Sequence, residues 1–429
     1  MVSREDITYW GAGPALLPTS VLEKAAKALV NYNDTGLGLA EISHRSADAT
    51  AILNAAKADL ATFLDIPDDY EILFMQAGGS GQFAATVYNL VGVWVERRRQ
   101  KILKDLGIKE GKEIPEDVIV KELEKAVEED FKVDYLVTGS WSLKASQEAA
   151  RFLGEEKVNI VADARKINDG KFGKYPDEST WKLSKDSAMV YYCDNETVDG
   201  VECPNFPKIL EPTGSENDPI VVADMSSNIL SRRIPIKNFG VIFFGAQKNV
   251  GMAGITGVII KKNLLVSASP TLLRKLRLPI GPTILSYEVM AKNNSLYNTP
   301  PIFDIYVAGL VLKNSLANFP NKVDDQEKLA KSKAEKIYSA LEKYPESYKI
   351  VPDKSARSTM NICFRVTHLA SGVDESEKAF LAGATKQGLT GLKGHRSVGG
   401  IRASNYNSIS AEGAEKLVAF IESFAKGPR

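Results

Sequence analysis

Across residues 19–297, short apolar runs alternate with amphipathic stretches of helical period. The runs at 71–76, 133–138, 188–193, 220–224 and 241–244 are brief, rich in β-branched and aromatic residues, and bounded by turn-forming residues, so they predict strands. The run at 257–260 follows 241–244 closely enough to pair with it as an antiparallel neighbour. Gly78-Gly79-Ser80-Gly81 leads into a helix through Tyr88, and a second helix is predicted over 144–152. Strand and helix in this alternation imply a mostly parallel sheet with crossover helices, an α/β domain over 18–297.

Two stretches break the rhythm. From Glu96 to Asp130, three arginines are followed by alternating Lys and Glu, the pattern of a solvated helical face, read as a charged helical insertion at about 96–130. Beyond residue 300, amphipathic helices are predicted over 303–318, 326–342, 375–386 and 411–424, with a strand at 361–366. These form a smaller α+β domain of residues 298–429 joined by 1–17.

Composition narrows the function. The 429 residues carry 54 Lys+Arg against 54 Asp+Glu, and a general polyanion binder needs a basic excess. No nucleic-acid partner is therefore expected. The three histidines, His44, His368 and His395, leave little room for a multi-His metal site, and no metal is expected. Cys193, Cys203 and Cys363 are odd in number and form no Cys-x-x-Cys, so a reducing compartment is the default. The charged N-terminus has no signal-peptide pattern, and no apolar run approaches the ~20 residues of a membrane span. A cytoplasmic protein without a membrane partner is the expectation.

Chemistry concentrates at the ends of the strands. Lys248 lies just past an apolar strand, between glycine-rich turns. It is either an exposed charge or an amine desolvated until its pKa falls, as a Schiff-base lysine requires. Asp224 ends the strand Ile-Val-Val-Ala-Asp, where open α/β sheets bind ligands. It is either a helix cap or, if Ser226 and Ser227 cap instead, a free carboxylate able to keep a pyridine nitrogen protonated. The glycines at 78–81 would offer backbone N–H groups to a phosphate. Trp141, after another strand, is either core or a face for a flat ring.

Together these residues resemble a fold-type I pyridoxal-phosphate enzyme of the class V aminotransferase group. The motifs Tyr9-Trp-Gly-Ala-Gly-Pro, Glu41-Ile-Ser-His-Arg-Ser, Gly78-Gly-Ser-Gly-Gln-Phe, Gly139-Ser-Trp-Ser, Asn195-Glu-Thr-Val-Asp-Gly, Ala223-Asp-Met-Ser-Ser, Gly245-Ala-Gln-Lys-Asn, Tyr297-Asn-Thr-Pro-Pro and Gly394-His-Arg-Ser-Val-Gly-Gly-Ile-Arg are similar to those of the phosphoserine aminotransferases. The resemblance implies a seven-stranded-type sheet, a homodimer with shared active sites and pyridoxal 5′-phosphate as cofactor. It implies ping-pong transfer of the amino group from L-glutamate to 3-phosphohydroxypyruvate, in L-serine biosynthesis.

By the same resemblance, Lys248 is the catalytic, cofactor-bonding lysine, Asp224 meets the pyridinium nitrogen, Trp141 stacks on the ring and Thr197 bonds its hydroxyl oxygen. Gly79, Ser80 and Gln247 hold the phosphate, completed by Asn298 and Thr299 from the other subunit. Ser80 stands where many bacterial members have an arginine for the substrate's anionic end. Arg402 forks onto the substrate α-carboxylate. His44 and Arg45 of one subunit, with His395 and Arg396 of the other, surround the distal phosphate or carboxylate. A cysteine desulfurase would need a mobile reactive cysteine, whereas Cys363 lies within a strand pattern. A non-catalytic binding protein on the same fold would bind no cofactor.

Overall fold

The computed structural model describes residues 2–76, 78–107, 115–215 and 218–428. Seven strands form the main sheet: β1 (Tyr70–Met75), β2 (Lys132–Val137), β3 (Val158–Asp163), β4 (Ser187–Cys193), β5 (Val221–Asp224), β6 (Val241–Gly245) and β7 (Thr256–Lys261). Their order is β1-β7-β6-β5-β4-β2-β3, with β7 antiparallel to both neighbours and the remaining pairs parallel. The antiparallel pairing of β6 with β7 agrees with the sequence expectation.

The continuous apolar character of these strands follows from burial on both faces. Ile242 and Phe244 of β6 point into one core, Val241 and Phe243 into the other. The first core is closed by α1 (Ala47–Leu64) and a later helix (Ile302–Asn318), where Gly309 lets the backbones approach beside Ala56. The second is closed by α2 (Gly78–Asp105), α3 (Glu116–Glu129) and α4 (Ser140–Leu153). The helix Ile302–Asn318, α5, leads out of this three-layer unit.

The smaller unit packs α6 (Val323–Glu342), α7 (Val373–Lys386) and α8 (Ala411–Ala425) on the antiparallel sheet of β8 (Tyr348–Ile350), β9 (Asn361–Val366) and β10 (Ile401–Ser404). Trp10, fully buried, sits in this core, and Thr8–Tyr9 pairs in parallel with Leu389–Thr390. The N-terminal segment thus packs with the C-terminal third.

The charged stretch at 96–130, read as a solvated helical insertion, is helical over its described residues and also contributes to the core. Its first part continues α2, and α3 buries Leu123 and Ala126 in the second core, so the stretch is the crossover from β1 to β2. Its charges lie outward, with Arg98 bridging Asp130 and Asp186. The part at 108–114 lies outside the described residues. Of the ten strands β1–β10, three had no sequence signal. In β3 the mixture of polar and apolar positions reflects a half-exposed edge, while β8 and β10 are only three and four residues long. The helix expected from 144 begins at Ser140.

Candidate active site

The groups that the main sheet gives to the site stand at the carboxyl ends of β1, β2, β4, β5 and β6, which all point the same way. β7 runs back against them, so the loop from β6 to β7 must turn at this edge, and it carries Lys248. Hydrogen bonds from Gly251 N to Ala246 O (2.7 Å) and from Ala246 N to Ile255 O (3.1 Å) close that loop. Gly13 of the N-terminal segment lies over it, within 3.4 Å of the Lys248 side chain for an added Cβ.

Lys248 is 9 % exposed and donates from Nζ to Thr197 Oγ1 at 2.7 Å. Burial lowers its pKa, opposed chiefly by the charge of Asp224. Asp224, also buried, has its pKa raised by desolvation and pulled back by hydrogen bonds from Ser226. Ser226 donates from both N (2.9 Å) and Oγ (2.6 Å) to Oδ1. The carboxylate is therefore not wholly free of its own turn, as the sequence reading allowed. Only Oδ2 is open, and no hydrogen bond from the described residues reaches it. An added Cβ at Gly79 would lie 4.0 Å from that oxygen, which places the glycine turn beside it.

Two helices begin at this edge with opposite character. The amides of Ser140, Trp141 and Ser142 in α4 are taken by Asp199 and Glu196. Among the described residues no side chain takes those of Gly79, Ser80 or Gly81 in α2. An unfilled helix start offers N–H groups and a positive dipole end to an anion. Trp141 stands between Phe83 of α2, with ring centroids 6.4 Å apart, and the Lys144 ammonium 4.4 Å from its own ring centroid. Its indole Nε1 is buried without a partner among the described residues. An amine, an open carboxylate oxygen, an aromatic face and a free anion cradle fit a flat, cationic, phosphorylated ring such as pyridoxal phosphate.

Arg402 projects from β10 of the small unit and donates from Nη1 to the Thr197 carbonyl at 3.2 Å. Lys248 and Arg402 thus meet on one residue, from opposite sides of the domain junction. That junction is fastened by Asn195 Nδ2 to Asn361 Oδ1 (2.8 Å), by Thr359 N to Glu202 Oε2 (2.6 Å), and by Asn407 N to Asn249 Oδ1 (3.0 Å).

The chain matches the aminotransferase class V family over residues 7–109 and 116–417. It is 42 % identical to the phosphoserine aminotransferase of Saccharomyces cerevisiae over 99 % of both chains. It is 41 % identical to that of Drosophila melanogaster, covering 98 % of this chain and 99 % of the other. Among solved structures, the phosphoserine aminotransferase from Bacillus circulans subsp. alkalophilus superposes with a TM-score of 0.79 at 34 % identity, over 98 % of this chain and 99 % of that one. A pyridoxal-phosphate-bound phosphoserine aminotransferase from Trichomonas vaginalis gives 0.77 at 33 % identity, over 97 % and 99 % of the two chains. The chain belongs to the phosphoserine aminotransferase family of class V.

Within this phosphoserine aminotransferase family member, the fold gathers Lys248, Thr197, Asp224, Trp141, Gly79 and Arg402 at one edge. Ser80 is exposed on the same first turn as Gly79, and the Gln247 carbonyl receives Ala15 N at 2.8 Å. His395 and Arg396 lie on the turn before β10. His395 Nδ1 is 2.7 Å from Ser397 Oγ, and burial, then the charges of Arg402, Lys144 and Arg396, depress its pKa. The cations around the histidine of that pair thus work against its holding a proton in the free site.

His44 and Arg45 stand on the turn before α1, where they hydrogen-bond each other at 3.4 Å. No hydrogen bond or ion pair brings them to Lys248 within the chain, among the described residues. Asn298 binds Gln76 Oε1 of its own chain at 2.5 Å, and Thr299 is exposed. His368 is a structural residue, buried between Ser347 Oγ (3.0 Å) and Pro428 O (3.1 Å). Sequence reasoning passed over Lys144, Glu196 and Asp199. For Lys144 a signal existed, since residues three apart on a helix are neighbours and Trp141 stands three before it. Glu196 and Asp199 carry no such mark, because their partners are backbone groups more than fifty residues away.

Proposed function

We propose that the protein transfers the amino group of L-glutamate to 3-phosphohydroxypyruvate, forming O-phospho-L-serine and 2-oxoglutarate in two half-reactions on one site, in L-serine biosynthesis. The observation that carries this is the buried Lys248 amine, bonded to Thr197 and facing Asp224, with Arg402 one residue away. Pyridoxal 5′-phosphate, when bound, supplies the electron-withdrawing ring that makes a substrate Cα–H bond acidic.

The chain's own groups do the rest. The Lys248 amine, its pKa lowered by burial, would hold the cofactor at rest and, once displaced from it by the incoming substrate amine, would serve as the base that takes the Cα proton and the acid that gives it back. Thr197 sets the position of that amine and bonds the ring oxygen. Asp224, through its open Oδ2, would keep the ring nitrogen protonated, and Trp141 would stack on the ring. Gly79, Ser80 and Gln247 receive the phosphate, together with Asn298 and Thr299 of the partner subunit. The Arg402 guanidinium aligns the α-carboxylate of either amino acid, which only a planar fork does with two parallel bonds.

The two substrates differ at their far ends, a phosphate against a carboxylate. His395, Arg396 and Lys144, with His44 and Arg45 of the partner subunit, bind both. A neutral His395 that takes up a proton when the dianion arrives adjusts the pocket's charge to its occupant. The active unit in this reading is a homodimer in the cytoplasm, without nucleic acid or membrane as partner. Cysteine desulfuration is disfavoured by Cys363, which is buried in β9 with its thiol pushed up to about 12 by burial.

The test is a coupled assay with glutamate and 3-phosphohydroxypyruvate against unphosphorylated hydroxypyruvate. A strong preference for the phosphorylated acid is expected. A preference for hydroxypyruvate would refute the role of the distal cations.

A further inference from the structure

Two buried carboxylates, Glu196 and Asp199, have no part in the reaction as derived. Glu196 is fully buried and Asp199 is 6 % exposed. Both spend their oxygens on the start of α4. Glu196 Oε2 accepts from Trp141 N at 2.8 Å, and Oε1 accepts from Ser142 N at 2.9 Å and Ser142 Oγ at 2.5 Å. Asp199 Oδ2 accepts from Ser140 N at 2.7 Å.

A helix start is ordinarily capped by the side chain of the residue just before it. Here that residue is Gly139, which has none, and it must be glycine for reasons of space. A Cβ at Gly139 would stand 2.4 Å from Glu196 Cγ. The caps come instead from the turn after β4, and that turn also holds Thr197, whose hydroxyl receives Lys248 and whose carbonyl receives Arg402.

We propose that Glu196 and Asp199 are a positioning pair that locks the Trp141 ring to the Thr197 hydroxyl, so that the face of the cofactor and the lysine are aligned by one buried unit. This rests on the reading that the space between Trp141 and Lys248 holds pyridoxal phosphate. Burial, with the charge of Asp199 beside it, raises Glu196 to about 8, and burial raises Asp199 as well. Near neutral pH the pair therefore retains a proton. It caps α4 without setting two full negative charges near Lys248 and Arg402.

The experiment uses Glu196→Gln, which keeps the shape but replaces one acceptor oxygen by an NH₂ group facing backbone N–H. Cofactor-free protein is titrated with pyridoxal phosphate, followed by Trp141 fluorescence (assigned by subtracting a Trp141→Phe variant) and by visible circular dichroism of the bound cofactor. The expected result is about tenfold weaker binding, the effect of one buried donor left unpaired, with a diminished dichroic band. Wild-type affinity and dichroism in the variant, with only a lower thermal midpoint, would show a purely structural cap and overturn the proposal. If Glu196→Gln does not fold, Asp199→Asn, which leaves the Trp141 and Ser142 amides on Glu196 and weakens the cap at Ser140, is judged by the same two readouts. A wild-type protein that takes up no pyridoxal phosphate would instead overturn the underlying reading of the site.

Discussion

Lys333 on α6 is 1 % exposed, and its Nζ donates to the carbonyls of Ile409 (2.7 Å) and Tyr406 (3.1 Å). Burial lowers its pKa from an ordinary 10.5 to about 7. A neutral amine has two hydrogens, enough for both carbonyls, so the fold is best served by the uncharged form. The unfolded chain holds the proton up to its ordinary pKa. Between about pH 7 and 10.5 the unfolded state thus binds more protons, and stability must rise with pH. At about 1.4 kcal/mol per tenfold change in proton affinity, the burial penalty reaches at most about 5 kcal/mol below pH 7. The same relation gives a gain of about 2 kcal/mol between pH 7 and pH 9.

Lys333→Met removes the titrating group while filling the same channel. Its effect at a single pH is a balance, because the two carbonyls lose their donor, at about 1–3 kcal/mol each. Its effect on the pH dependence is unambiguous. Urea unfolding of the cofactor-free protein, followed by far-ultraviolet circular dichroism at pH 7 and pH 9, should show wild type gaining about 2 kcal/mol more than the variant. Equal pH dependence in the two proteins would mean that Lys333 keeps its proton in the fold, and the reasoning would fail.

Three further outcomes concern the site. Lys248→Ala should lower transamination by at least about 10⁴-fold and abolish the absorbance of the lysine-bound cofactor, with far-ultraviolet dichroism unchanged. Arg402→Lys keeps the charge but loses the fork, and steady-state kinetics should show KM rising about tenfold for glutamate and for the phosphorylated keto acid alike, since both present the α-carboxylate. Lys144→Met should raise KM for 3-phosphohydroxypyruvate about two- to fivefold with less effect on glutamate, the scale of one exposed charge contact. An equal effect on both substrates would place Lys144 elsewhere than at the distal anion.

Much of the architecture was legible because it repeats locally. The strand ending at Asp224 and the one before Lys248 are short, apolar and followed by turns, which is what a strand buried on both faces must be. Legibility failed where an element lacks a pattern of its own. β10 carries Arg402, yet it is four residues long behind two glycines, and its pairing with Cys363 of β9 comes from far along the chain. In the stretch at 96–130 the helical, charged face was legible, but that charge hides the few buried residues on the other face. Leu123 and Ala126 suffice to make it part of the core.

By itself, the sequence determined that this is an α/β chain with a lysine and an aspartate at adjacent strand ends, together with a set of motifs specific to one family. These are local facts, set by period, turn chemistry and residue type. Only the tertiary structure decided which groups meet. It brought Lys248 and Arg402 to Thr197, turned Oδ1 of Asp224 toward Ser226 while leaving Oδ2 open, and filled one helix start with Glu196 while leaving that of Gly79 free. Hydrogen bonds between backbone and distant side chains leave no periodic trace, so such choices belong to the packed fold alone.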